Sequence, residues 1–242
     1  MITADFDRLN LRPGDRVFDI GCGTGRHTCA VYQKEDVVAI GADINLGELR
    51  EAKSRLELHD RLGFHADGQW GLCVTDTLCL PFNRAVFDLV ICCEVLEHIR
   101  NHRAAVAELA RVLKPGHYLV VSVPRYWPEK ICWSMSEAYR NEKGGHVRIY
   151  RKFDLIELVS CAGFDLRFMH YAHSLHTPYW WLKCLVGIEC DNNIFVNLYH
   201  RFLVWDIMQR PKVTGLIDSL LNPALGKSIV LYFLKSTAAG EQ

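Results

Sequence analysis

Short continuous apolar runs rich in β-branched residues alternate with stretches of helical spacing through the first half of the chain. RVFDIG (16–21), VVAIGAD (37–43), WGLCVTD (70–76), FDLVICCE (87–94) and YLVVSVP (118–124) have the length and content of buried strands. Between them, 26–34, 46–60 and 101–113 carry helix-like spacing with few breakers. Alternating strands and helices with apolar strands predict an α/β fold, a doubly wound, mostly parallel sheet covered on both faces. Lys114-Pro115-Gly116 is expected to stop the third helix and start the fifth strand. Two later strands are expected at 164–171 and 228–235, with a long aromatic-rich segment between them. The pattern shows no internal repeat or flexible linker.

A sheet of this kind binds ligands at the carboxyl ends of its strands. The first strand runs into Asp19-Ile-Gly-Cys-Gly-Thr-Gly25 and then a helix. Gly21, Gly23 and Gly25 allow a tight turn and a close backbone approach to a ligand, although a glycine-rich turn alone is an ordinary connection. Two features sharpen it. The spacing is G-x-G-x-G, which argues against a dinucleotide site, and Asp19 precedes it. A carboxylate serves a pyrophosphate poorly and serves a ligand bearing ammonium and sulfonium charges well. The second strand ends in Asp43, which can accept bonds from ribose hydroxyls. The third ends in Asp76-Thr77, where an acid can accept from an adenine amine.

On VFDIGCGTG (17–25), GAD (41–43), VTDTLCLPF (74–82), FDLVICCEVLEHI (87–99) and RVLKPGHYLVVSVP (111–124), residues 11–172 resemble the class I S-adenosylmethionine-dependent methyltransferases. The likeness is to the small-molecule branch that includes ubiquinone and menaquinone biosynthesis enzymes. It implies a Rossmann-like seven-stranded sheet whose last strand, 228–235, is antiparallel, preceded by a helical insertion. It implies one domain over 1–242, with a cofactor-binding half at 1–125 and acceptor-side elements at 126–172 and 173–227. S-adenosylmethionine would lie against Asp19, Gly21, Gly23, Gly25, Asp43, Asp76, Thr77 and Glu94. The N/D-P-P-Y/F motif of amino-methylating nucleic-acid enzymes is replaced by Cys93-Glu94-Val95-Leu96, and no Pro-Cys pair occurs. A small-molecule acceptor, methylated at oxygen or carbon, is expected rather than nucleic acid.

A phenol or carbon acid needs a base or a metal to become a nucleophile near neutral pH. His146, in Gly-Gly-His-Val-Arg-Ile-Tyr150, and His98 are the catalytic candidates. Glu94, Glu97 and His98 stand at i, i+3 and i+4, which shares one face if a helix begins there. With His146 they resemble the magnesium-type ligand set of a ubiquinone-pathway O-methyltransferase and of small-RNA 2′-O-methyltransferases. A metal is not the favoured reading, because E-V-L-E-H also occurs where Glu94 faces the cofactor. Mg2+ and a catechol-like acceptor form the alternative. A non-catalytic protein that binds S-adenosylmethionine and holds a partner is the alternative from another class.

The last third bears on the acceptor. Residues 177–187 contain Tyr179-Trp180-Trp181, and 192–210 read as a helix apolar on most sides. Such a segment packs in a core, forms a homo-oligomer interface, lines a greasy pocket or rests on a membrane. The expected acceptor pocket comprises Tyr126, Trp127, Tyr150, Trp180 and Trp181. His170, His173 and His176 flank the insertion and are read as structural. The 242 residues hold 28 Lys+Arg and 28 Asp+Glu, a balance that offers no broad cationic face to nucleic acid. It also makes any peripheral membrane contact depend mainly on apolar burial and little on salt. Ten cysteines are scattered through apolar runs without a C-x-x-C pair, reading as small buried hydrophobes in a reducing, cytoplasmic setting. The N-terminal residues lack the basic flank and apolar core of a signal peptide.

Overall fold

The computed structural model describes residues 2–34, 36–142, 144–188, 190 and 192–237. Seven strands form one sheet: β1 (Arg16–Ile20), β2 (Val38–Asp43), β3 (Gln69–Val74), β4 (Phe87–Cys93), β5 (Leu113–Pro124), β6 (Phe164–Ala172) and β7 (Ser228–Lys235). Their spatial order is β3-β2-β1-β4-β5-β7-β6. The pairs from β3 through β5 are parallel, and β7 runs antiparallel to both β5 and β6. The expected Rossmann-like sheet with an antiparallel last strand is therefore present. The order reverses at β1 and β4, so the carboxyl ends of those strands open a crevice at the middle of the sheet.

Helices cover both faces because both are apolar. Alternate residues of one strand point to opposite sides, so Val90 and Cys92 join one core with Phe18, Leu109 and Phe233. Leu89 and Ile91 join the other with Val31, Leu56 and Tyr232. The covering helices of the first half are α1 (Arg26–Lys34), α2 (Leu46–Leu62) and α3 (His102–Val112). Asn45 caps α2 by accepting from the Gly47 and Glu48 amides, and Gly63 closes it in the left-handed region. Six of the ten cysteines are buried (22, 29, 92, 93, 132 and 184), and all ten are free.

Beyond β5 the chain forms α4 (Tyr126–Met135), α5 (Glu137–Arg140) and α6 (Lys152–Ser160). The insertion between β6 and β7 comprises α7 (His176–Val186), α8 (Ile194–Gln209) and α9 (Lys212–Leu225). Two expectations need correction. No helix begins at Glu94: residues 94–100 form turns, and α3 starts only at His102, capped by Asn101. Lys114-Pro115-Gly116 does not precede the fifth strand but lies inside it, where pairing with β4 slips between Phe87 and Leu89. The insertion also holds a further helix, α9, beyond the one read at 192–210.

Candidate active site

The turn after β1 carries positive φ at Gly21, Gly23 and Gly25. A Cβ at Gly21 would stand 2.3 Å from Val95 Cγ2, so the close fit of this turn on the β4 loop requires glycine. The Gly23 amide donates to Asp43 Oδ2 at 2.9 Å, and Asn45 N donates to Oδ1 at 2.8 Å. Asp43 thus ties the glycine turn to the end of β2. Asp19 is buried, and its Oδ2 accepts from both the amide and the hydroxyl of Thr28. Burial raises its pKa to about 7 despite those two bonds and the nearby Arg26. Asp76 holds the next loop by accepting from Leu78 N at 2.9 Å.

These strand ends wall a cleft of about 350 Å3 that includes Gly21, Asp43, Asp76, Thr77, Glu94 and His98. Asp19, Gly23 and Gly25 lie behind that wall, where they shape the turn. A second cleft of about 290 Å3 is bounded by Pro124, Tyr139, His146, Trp180 and Lys227. Glu94 and His98 line both. Glu94 adopts φ 58, which turns the chain sharply at the end of β4. Its Oε1 accepts from Ser122 Oγ at 2.9 Å, and burial raises its pKa.

The segment 144–150 is strapped across the turn at 94–100. Val147 N donates to Glu97 O at 2.9 Å, and the Arg148 guanidinium donates to the carbonyls of Leu96, Ile99 and Arg100. His98 Nδ1 lies 3.0 and 3.2 Å from the carbonyls of Gly144 and Gly145. Carbonyls only accept, so Nδ1 carries a proton. His146 Nδ1 lies 2.7 Å from Glu129 Oε1. Burial would raise the Glu129 carboxyl, but the bond from His146 and the charge of Lys227 outweigh it and lower its pKa. An ionised Glu129 fixes the proton on Nδ1 of His146, leaving its Nε2 to accept.

Glu97 is 1% exposed, and neither carboxylate oxygen finds a hydrogen-bond partner among the described residues. Burial and the neighbouring Glu94 push its pKa well up. One ligand atom from each of Glu97, His98 and His146 lies within 4.8 Å of the others. Of the four-residue metal set, Glu94 falls outside this group, because its carboxylate turns to Ser122. The missing helix is the reason: Glu94 sits at a chain reversal instead of one turn below Glu97 and His98.

Of the expected acceptor wall, only Trp180 lines the second cleft. Tyr126 lies under the cations of Lys130 and Arg151. Trp127 packs against Trp181, whose indole donates to Pro128 O. The Tyr150 hydroxyl is held by His102 and Leu96 O in the core. Glu129, Tyr139 and Lys227 were not singled out from the sequence. No local motif marks them: Glu129 on α4 and Lys227 before β7 are brought together by the antiparallel β5–β7 pairing, which ends at Pro124 and Ser228, and by the bond from Arg125 N to Lys227 O.

A Rossmann-like sheet in this order, with acids at three consecutive strand ends around a glycine turn, defines the methyltransferase fold class. A family profile described as "Methyltransferase domain" matches residues 2–167. The chain belongs to that family. A demethylmenaquinone methyltransferase of Corynebacterium urealyticum is 35% identical over 115 residues, 48% of this chain and 44% of the relative. An O-methyltransferase of Aspergillus nomiae is 31% identical over 116 residues, 48% of this chain and 49% of the relative. These matches therefore span about half of each protein or less. Among solved structures, a geranyl diphosphate methyltransferase in complex with S-adenosylmethionine superposes with a TM-score of 0.62 at 14% identity, covering 95% of this chain and 82% of that one. It shares the fold.

Proposed function

We propose that this chain transfers a methyl group from S-adenosylmethionine to an oxygen or carbon of a lipophilic small molecule. The observation that carries the reading is the meeting of two clefts at Glu94 and His98. The first suits the cofactor: a glycine turn, a ribose-length acid at Asp43 and an adenine-side acid at Asp76. The second suits an acceptor, with Trp180 and Tyr139 on its wall and His146 within it. The family and the names of the relatives support methyl transfer to a small molecule.

When bound, S-adenosylmethionine supplies an electrophilic methyl group on a sulfonium. The chain has two tasks around it. Holding both partners in line can lower the barrier by roughly 7–11 kcal/mol, and the facing clefts serve that alignment. The second task is removal of the acceptor proton. His146 Nε2 takes it, the imidazolium is stabilised by Glu129, and the acceptor keeps the electron pair that forms the new bond to methyl. The proton then leaves to solvent.

A second reading rests on Glu97. A buried carboxyl with no hydrogen bond is costly; Glu97 Oε1 lies 3.9 Å from His98 Nε2, and one ligand atom from each of Glu97, His98 and His146 lies within 4.8 Å of the others. Glu97, His98 and His146 could hold a divalent cation, their two imidazoles and one carboxylate suiting an ion such as Mn2+ better than Mg2+, and it would acidify an acceptor hydroxyl.

Incubating the protein with methyl-labelled S-adenosylmethionine and panels of phenols, quinols and activated carbon acids tests the proposal. Label should pass to an organic-extractable product with release of S-adenosylhomocysteine. Tight binding without transfer to any acceptor or cell extract would favour the non-catalytic alternative. Absence of cofactor binding would reject both.

A further inference from the structure

Helix α9 is built inside out. Its polar residues Asp218 and Asn222 face the protein: Asp218 accepts from Ser174 Oγ and Leu175 N, and Asn222 Oδ1 accepts from Ser174 N. Its apolar residues face solvent, with Val213 68%, Leu216 62% and Leu220 70% exposed, and no residue of the helix is buried. The preceding helix continues the surface. Val196 and Leu203 of α8 are buried, while Leu198, Trp205 and Met208 lie on the opposite side and are exposed. Soluble helices direct such stripes toward a core. Here two consecutive helices direct them outward.

The charges on the two helices are sorted in the same sense. Arg201 and Lys212 are exposed, whereas the acids Asp206 and Asp218 are partly buried and line the cavity beneath the helices with His176; Arg210, between the two helices, is exposed and also lines that cavity. Among the described residues no acid of α8 or α9 is exposed, so the outward face is apolar and cationic. A second copy of this chain is a poor occupant. A two-fold contact sets the same patch against itself, so the cations would meet cations with no carboxylate to pair. A bilayer matches the pattern: acyl chains take the aliphatic residues, Trp205 suits the interface, and anionic headgroups take the basic residues. Among the described residues no helix is long and apolar enough to cross a membrane, so the contact would lie along the surface.

We infer that the outward faces of α8 and α9 form a docking surface for an anionic lipid bilayer. Apolar insertion supplies most of the binding, and the three cations add a preference for negative headgroups. The surface borders the acceptor cleft. Tyr179 of α7 packs on Tyr199 and His200 of α8, the next residue Trp180 lines the cleft, and Lys227 follows α9 directly. Insofar as it delivers a lipophilic acceptor, this placement rests on the proposed function, but the docking itself does not.

Co-sedimentation with vesicles of phosphatidylcholine, with and without phosphatidylglycerol, tests the inference in the absence of any acceptor. The protein should sediment with the anionic vesicles, and partition roughly tenfold or more better into them than into neutral ones. The exposed pair Leu216→Ser and Leu220→Ser should lower partition by more than about tenfold, with thermal unfolding and calorimetric S-adenosylmethionine binding unchanged. Replacing Arg201, Arg210 and Lys212 with Gln should remove the anionic preference. Failure of the wild-type protein to sediment with either vesicle overturns the inference, whether ultracentrifugation then shows a monomer or a dimer lost in the leucine variant. Sedimentation unaffected by the leucine changes overturns it too. Loss of cofactor binding in the wild-type protein would count against the proposed function and leave the vesicle result standing.

Discussion

His146 and Glu129 form a partly buried pair in which the imidazole Nδ1 lies 2.7 Å from a carboxylate held ionised by that bond and by Lys227. The pairing fixes the tautomer and gives His146 a stabilised cation if it accepts a proton. His146→Ala should therefore slow turnover by about 10²–10⁴-fold with cofactor affinity intact. Glu129→Gln keeps the shape and removes the charge. It should lower kcat by about tenfold or more, since the imidazolium that forms on proton transfer loses its counter-ion. A residue that only supports the fold would lower the unfolding temperature without this selective loss of kcat.

The metal reading predicts a different response at the same place. If Glu97, His98 and His146 hold a cation, chelation should abolish turnover, magnesium or manganese should restore it, and calorimetry should register binding that Glu97→Gln removes. If His146 acts as a base alone, activity survives excess chelator. In that case Glu97→Leu should also raise the unfolding temperature, because it replaces a buried, unpartnered carboxyl with an apolar group of similar size.

Asp43 is expected to take the ribose, and it already accepts from Gly23 N and Asn45 N. A hydrogen bond to a charged group is worth about 1.5–3 kcal/mol, so Asp43→Ala should weaken cofactor binding by about ten- to a hundredfold. Gly23→Leu should abolish binding, because φ 52 places any L side chain in a strained backbone conformation and moves the turn. Unchanged calorimetric affinity in both variants would remove this turn from the site.

The parts of the site legible in the sequence are those made by neighbours in the chain. Apolar runs 16–21 and 37–43 end in the residues that wall the first cleft, so locating the strands locates Gly21, Asp43 and Asp76. Glu129 and Lys227 were not legible, because they stand 98 positions apart and are brought together by the antiparallel β5–β7 pairing. Glu94 misled for a local reason: spacing of i, i+3 and i+4 implies one face only in a helix, and its positive φ breaks the chain direction there. Helix α9 was hidden by Gly215 and Pro223 within it. Its apolar residues also follow solvent rather than the core, so their spacing marks no buried stripe.

Asp19 should make cofactor binding depend on pH. In the folded protein its pKa is about 7 against a usual 3.8, with burial as the main cause and Arg26 and Asp43 as the charged neighbours. The neutral form is thus favoured by folding, and this contribution to stability is fully present below pH 3.8 and lost as pH rises through about 7. A cationic ligand prefers the ionised form. Cofactor affinity should therefore rise by about tenfold between pH 6 and pH 8, and Asp19→Asn should flatten that dependence while keeping an acceptor for Thr28. A flat profile in the wild-type protein would mean that the ligand does not sense Asp19.

Trp180 and Trp181 are adjacent in sequence and differ in task. Trp180 faces the second cleft, its ring 5.7 Å from that of Tyr139 and 5.1 Å from Lys227 Nζ, beside His146. Trp181 turns the other way, onto α4, where it packs with Trp127 and bonds Pro128 O at 3.2 Å. Trp180→Ala should raise the acceptor KM about tenfold or more, a loss comparable to one apolar side chain's burial, and leave cofactor affinity unchanged. Trp181→Ala should instead destabilise the fold, by less than the roughly 3–5 kcal/mol typical of a fully buried aromatic because the ring is only half-buried. Steady-state kinetics and denaturant melts on the two single variants separate these effects. If Trp180→Ala lowers stability with no selective effect on the acceptor, then α7 is packing alone and the acceptor cleft lies elsewhere.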